Sequence, residues 1–127
     1  MKKLFALRGA VCAANTAEDI QTQTAALYRA LLSANRLDER DIVSLVFSVT
    51  AGLDAKNPCA ALRERGLAQE AALFAVQEAE CRGMPRGLLR ALVHCYLDET
   101  ARPAHVYMNG AEALRPDRAA PAVTAGG

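Results

Sequence analysis

The sequence predicts a single α/β (α+β) domain in which a β-sheet packs with one long and one short helix. Three observations carry this. Ile20, Thr24, Leu27, Leu31 and Ala34 step at intervals of four and three, the period of a helix with one largely apolar face. In the segment 42–50, Val43, Leu45, Phe47 and Val49 alternate with Ser44, Val46 and Ser48, the period-two pattern of a strand. Apolar runs of strand length recur at 4–7 and 73–78, and 127 residues with 52% hydrophobic content suffice for one core without disulfides or a metal.

Taken in order, Leu4-Phe5-Ala6-Leu7 is expected to form a short strand closed by Arg8-Gly9-Ala10, which puts Arg8 at a strand end. Thr16-Ala17-Glu18-Asp19 has the form of a helix N-terminus. Thr16 is the cap, acids occupy the first turn, and Asp19 takes the capping-box position usually held by Glu or Gln. This helix ends near Asn35, with Tyr28 and Leu32 flanking its stripe. Leu37-Asp38-Glu39-Arg40-Asp41 is polar and turn-like before the strand at 42–50. A loop over 51–57 leads to Pro58, suited to the first turn of a short helix at 59–65 that carries Arg63 and ends at Gly66.

Residues 73–78 read as a buried strand. Residues 88–97 fit two patterns. As a strand they put Leu89, Ala91, Val93, Cys95 and Leu97 on one face, while Leu88, Leu92 and Cys95 also fit a helix, and periodicity does not choose. Pro103 precedes a short strand, His105-Val106-Tyr107-Met108, closed by Asn109-Gly110; Pro116 makes Leu114-Arg115-Pro116-Asp117 extended. Residues 119–127 are small, with Pro and Gly, and read as a mobile tail beyond a domain spanning 1–118.

The formal net charge is +1, and the fifteen basic residues, twelve Arg and three Lys, are scattered rather than gathered in the stripe that nucleic acid binding needs. The Arg bias beside abundant Ala is what a GC-rich genome gives and says nothing about function. Cys12, Cys59, Cys81 and Cys95 form no Cys-x-x-Cys pair, and His94 and His105 lie far from any ligand spacing, so reduced thiols and no metal are expected. Met1 to Leu7 start like a signal peptide, but Arg8 cuts the apolar run short and no membrane span follows. The expected compartment is the cytoplasm.

Within 73–90 an acid and a base are threaded into apolar segments: Glu78 ends one run and Arg90 sits inside another. Both charges are expected to be at least partly buried. A buried charge costs several kcal/mol unless paired or aimed at a charged ligand. Two readings stand side by side: Glu78 and Arg90 form a structural ion pair, or they face a ligand. Arg63, beside Glu64 and Arg65, reads on its own as a solvated surface charge.

Several segments together resemble one family, the small homotrimeric chorismate mutases whose subunits pack their sheets into a pseudo-α/β-barrel core. They are Leu7-Arg8-Gly9-Ala10, Thr16 opening the long helix, Phe47-Ser48-Val49-Thr50 followed by a loop and Pro58, then Arg63, Glu78, Leu88-Leu89-Arg90, His105-Val106-Tyr107 and Leu114-Arg115-Pro116-Asp117. Each is weak alone, and the order and spacing are specific. The resemblance implies a mixed sheet, favours the strand reading of 88–97, and implies a homotrimer with active sites between subunits.

The activity it implies is the Claisen rearrangement of chorismate to prephenate in aromatic amino acid biosynthesis, a unimolecular step needing no nucleophile, cofactor, metal or proton transfer. Catalysis would be electrostatic and conformational: a fixed cation at the breaking ether oxygen favours the transition state, and holding the enolpyruvyl arm over the ring supplies orientation. By position, Arg90 resembles the family's arginine at the ether oxygen and Glu78 the carboxylate that accepts the ring hydroxyl. Arg8 and Tyr107 resemble groups binding substrate carboxylate, Arg63 a residue contributed across the interface, and Arg115 a peripheral cation near the C-terminal end.

Three positions depart from the family's pattern. Ala75 stands where Cys or Ser is usual among the substrate-binding residues, Asn57 where an aromatic is common, and Ala60 replaces a polar neighbour. Ala75 and Glu78 would face opposite sides of a regular strand, so a bulge or strand end is required if both line one pocket. Two alternatives accompany the mutase reading: a trimer of the same fold binding another small carboxylate, and a non-catalytic interaction module.

Overall fold

A computed structural model describes residues 1–115. Five strands form one mixed sheet: β1 (Lys2–Cys12), β2 (Ile42–Val49), β3 (Ala72–Gln77), β4 (Leu88–Asp98) and β5 (Val106–Met108). Their order across the sheet is β3-β2-β4-β1-β5, with β4 antiparallel to both neighbours and β3 and β5 parallel to theirs. Helices α1 (Ala17–Asn35) and α2 (Pro58–Glu64) pack against each other on one face. The core lies there: Leu7, Val11, Leu45, Phe47, Leu89 and Val93 from the strands meet Ile20, Leu27, Leu31 and Leu62 from the helices.

Helix α1 forms as its end signals dictate. Thr16 Oγ1 accepts the Asp19 N–H at 3.0 Å, and Asp19 Oδ2 reaches back to the Ala14 N–H at 2.7 Å, a capping box closed two residues earlier than usual. At the other end Arg36 adopts the left-handed conformation (φ 49°) and its N–H meets the carbonyls of Leu32 and Ser33. Ala34, read as the last member of the stripe, is exposed. Asn35 anchors that turn instead, its side chain exchanging hydrogen bonds with the backbone of Ala104 (2.7 and 2.9 Å), which fixes the approach to β5.

Strand β1 runs through the residues expected to close it. It pairs with β4 from Lys2 opposite Asp98 to Cys12 opposite Leu88, so Arg8 is mid-strand and not at an end. Gly9 is needed for packing rather than for a turn: a Cβ there would sit 3.0 Å from Cδ1 of both Leu27 and Leu31, so the strand passes close beneath α1. In β2 a bulge between Ile42 and Ser44 turns Ile42 to the core and leaves Val43 exposed, against the simple alternation.

Residues 88–97 are strand, as the resemblance favours. β3 is an edge strand with one open side, Phe74 being 65% exposed, and not the buried strand the apolar run implied. α2 starts at Pro58, capped by Asn57 Oδ1 on the Cys59 N–H at 2.8 Å, and gives way to Gly66 at φ 73°. Leu114 closes a 3₁₀ turn (Ala111–Leu114) where an extended segment was expected, because the chain reverses at Asn109 and Gly110, both at positive φ. Pro116, Asp117 and the tail at 119–127 lie outside the described residues.

Candidate active site

The face of the sheet opposite the helices carries the candidate site. Register places Tyr107, Ala10, Arg90, Ser48 and Val76 in one row across all five strands. Glu78, one residue past the end of β3, comes back to this row: its N–H donates to Val49 O at 2.7 Å, and its carboxylate reaches Ser48 and Arg90. Arg8 stands in the next row, opposite Leu92 of β4. Ala10 separates Tyr107 from Arg90 by two strand spacings, together about 10 Å, and is itself buried against Leu88, Tyr107 and Ala111.

The result is a cleft of about 350 Å³ lined by Arg8, Ser48, Glu78, Arg90, Tyr107 and Arg115, with Val46, Leu92 and Leu114 as apolar walls. Arg90 Nε meets Glu78 Oε1 at 2.9 Å and Nη2 meets Oε2 at 2.5 Å, a bidentate pair. Ser48 Oγ donates to the same Oε1 at 2.5 Å. The Glu78 side chain is 9% exposed and Arg90 45% exposed, so burial holds for the acid while the base keeps an open side. Arg90, and secondarily Ser48, hold the Glu78 carboxyl below the usual carboxylate range, against the opposing effect of burial. Glu78 in turn raises the Arg90 guanidinium further. Arg8 makes no ion pair among the described residues, and its backbone N–H donates to His105 Nδ1 at 3.0 Å. Tyr107 is held in a small apolar cluster with Ala10, Leu88 and Ala111, so its ring is fixed.

The remaining predicted residues are elsewhere on the chain. Ala75 and Asn57 line a separate depression of about 340 Å³ beside Pro58 and Gln77, near the ends of β2 and β3. The strand does end between Ala75 and Glu78, yet the two do not share a pocket within one copy. Asn57 has its side-chain oxygen committed to the α2 cap. Arg63 projects from α2 into solvent and lines neither cavity. Sequence reasoning missed Ser48 as a site residue, although the alternation of β2 already put it on the face away from the core.

A larger cavity of about 640 Å³ lies among the loops at 13–15, 50–53 and 78–87. It touches Glu78 but none of the predicted cations, so the smaller cleft, with Arg8, Arg90 and Arg115 in its lining, is the better candidate for an anionic ligand. Gly87 shapes the boundary: at φ 66° it approaches so closely that a Cβ would lie 2.2 Å from Ala13 O, and its carbonyl accepts the Ala13 N–H at 2.8 Å. No group of three or more metal-ligating side chains occurs among the described residues, and none of their helices is long and apolar enough to cross a membrane.

The family profile of chorismate mutase type I matches residues 4–118, which takes in every residue of the cleft. The chain belongs to that family. A solved chorismate mutase from Clostridium thermocellum is 34% identical and superposes with a TM-score of 0.78, covering 86% of this chain and 98% of that one. No curated protein matches the sequence.

Proposed function

We propose that the protein is a chorismate mutase, converting chorismate to prephenate in a trimer at three sites, each completed between neighbouring copies of the chain. The observation that carries this is the gathering of Arg8, Glu78, Arg90, Tyr107 and Arg115 into one cleft of a chain that belongs to the family. In the rearrangement a C–C bond forms as the ether C–O bond breaks, and negative charge grows on the ether oxygen. Glu78 uses two of the five N–H donors of Arg90, so the guanidinium retains three for the ether oxygen and a carboxylate of the substrate. A cation already fixed in place favours the charge-separated transition state over the ground state.

Glu78 accepts the ring hydroxyl, Arg8 and Tyr107 take a carboxylate, and Arg115 adds peripheral positive charge. Asn57, Ala75 and Arg63 belong to the half of a site that a neighbouring copy supplies. Their placement outside the cleft of their own chain supports that reading. So does the apolar outer face of the sheet, where Leu4, Phe74, Val76, Leu92 and Tyr96 are exposed, an extent typical of a surface that another chain covers. The direct test is loss of chorismate absorbance with purified protein. Titration with a bicyclic dicarboxylate mimic of the transition state separates the alternatives: tight binding supports the mutase, binding of simple dicarboxylates alone supports a changed pocket, and no binding supports an interaction module.

A further inference from the structure

Ser48 stands opposite Arg90 in the β2–β4 register, and both are directed at Glu78. Oε1 of Glu78 receives two donors, Ser48 Oγ at 2.5 Å and Arg90 Nε at 2.9 Å, which occupy both of its lone pairs. Oε2 receives Arg90 Nη2 alone, at 2.5 Å, and keeps one lone pair. We propose that Ser48 is a positioning residue for the reaction: by saturating Oε1 it fixes the rotation of the carboxylate and leaves Oε2 as the oxygen that takes the substrate's ring hydroxyl. This rests on the reading of Glu78 given above.

The need for such a residue follows from where Glu78 sits. It lies just past the end of an edge strand, and the terminal torsion of a glutamate is soft. Arg90 and Ser48 both hold it. A bound dianion competes for the same guanidinium, and each N–H drawn to the substrate is one that no longer holds Glu78. Ser48 carries no charge for the substrate to attract, so its hydroxyl keeps hold of Oε1 throughout the reaction.

Four variants test this, with turnover of chorismate by the unaltered protein measured first. Ser48→Ala is expected to lower kcat about tenfold with a smaller change in KM. It should also move the acid limb of the kcat profile to higher pH, because loss of a donor to the charged form makes Glu78 easier to protonate. Among the residues lining the cleft Glu78 is the only carboxyl, so that limb reports on it. Ser48→Thr keeps the hydroxyl and should restore most of the rate, while Ser48→Cys, of similar size and a weak donor, should resemble Ser48→Ala; it carries the test if the alanine variant fails to fold. In a Glu78→Gln background, adding Ser48→Ala should cost less than twofold. Unchanged kcat and acid limb in Ser48→Ala and Ser48→Cys, or an equal loss with and without Glu78, overturns the inference while leaving the mutase reading intact. Absence of turnover in the unaltered protein removes that reading, and this inference with it.

Discussion

Arg90 and Glu78, twelve residues apart in sequence, meet through two hydrogen bonds of 2.9 and 2.5 Å, with the carboxylate covered and the guanidinium open on one side. A purely structural ion pair gains nothing from that asymmetry, whereas a cation that must meet an incoming anion requires it. The open side is the part a ligand can use.

Replacing Arg90 by citrulline keeps the shape and several donors and removes the charge. The expected result is a fall in kcat of two to three powers of ten, about 3 to 4 kcal/mol by analogy with loss of an oxyanion donor, with KM changing much less. Adding Glu78→Gln removes the uncompensated carboxylate and should restore any lost thermal stability without restoring the rate. Near-normal turnover in this double variant would show that the charge of Arg90 served only to neutralise Glu78.

The proposed sharing of the site between copies gives a complementation experiment. Every mixed trimer of Arg63→Ala and Arg90→Ala subunits contains one interface with both arginines intact, so an equal mixture should recover about a quarter of normal sites. Sedimentation should show a trimer, and co-expressed subunits should regain activity that neither variant has. No recovery in verified hybrids would place both residues in the same subunit's site.

Acid should weaken the protein through its paired carboxyls. Glu78 is depressed in the folded state, chiefly by Arg90, so its contribution is fully present above the unfolded carboxyl value of 4.5 and is lost as pH falls through the lower folded value. Asp38, lowered to about 2 by Arg40, extends the decline further down. Thermal melts between pH 7 and pH 2 should show the loss beginning below about 4.5, and Glu78→Gln should flatten its upper part. A melt profile identical in the two proteins would mean that the pair contributes nothing to folding.

Gly87→Ala is expected to destabilise the protein by about 1 to 3 kcal/mol, since the residue needs positive φ and its new Cβ would collide with the Ala13 carbonyl. The same loop begins at Glu78, so KM should rise as well. Calorimetry with steady-state kinetics checks both, and a variant with unchanged melting temperature would show that the loop relaxes without penalty.

The sequence by itself determined what is local. Thr16 and Asp19 cap α1, Pro58 and Gly66 bracket α2, and the alternation after Ile42 makes β2, because caps, turns and periodicity act within a few residues. The apolar context of Glu78 and Arg90 singled them out, the family resemblance added Arg8, Tyr107 and Arg115, and the fold brings these five into one cleft. Only the tertiary structure decided that Gly9 is a packing residue inside a long strand, that Val43 leaves the core at a bulge, and that Ser48 and Arg90 meet on Glu78. Each of these depends on which strand lies beside which. Pairing joins residues such as Ala10 and Arg90 across long stretches of chain, and its register is set by the core as a whole rather than by any window of the sequence.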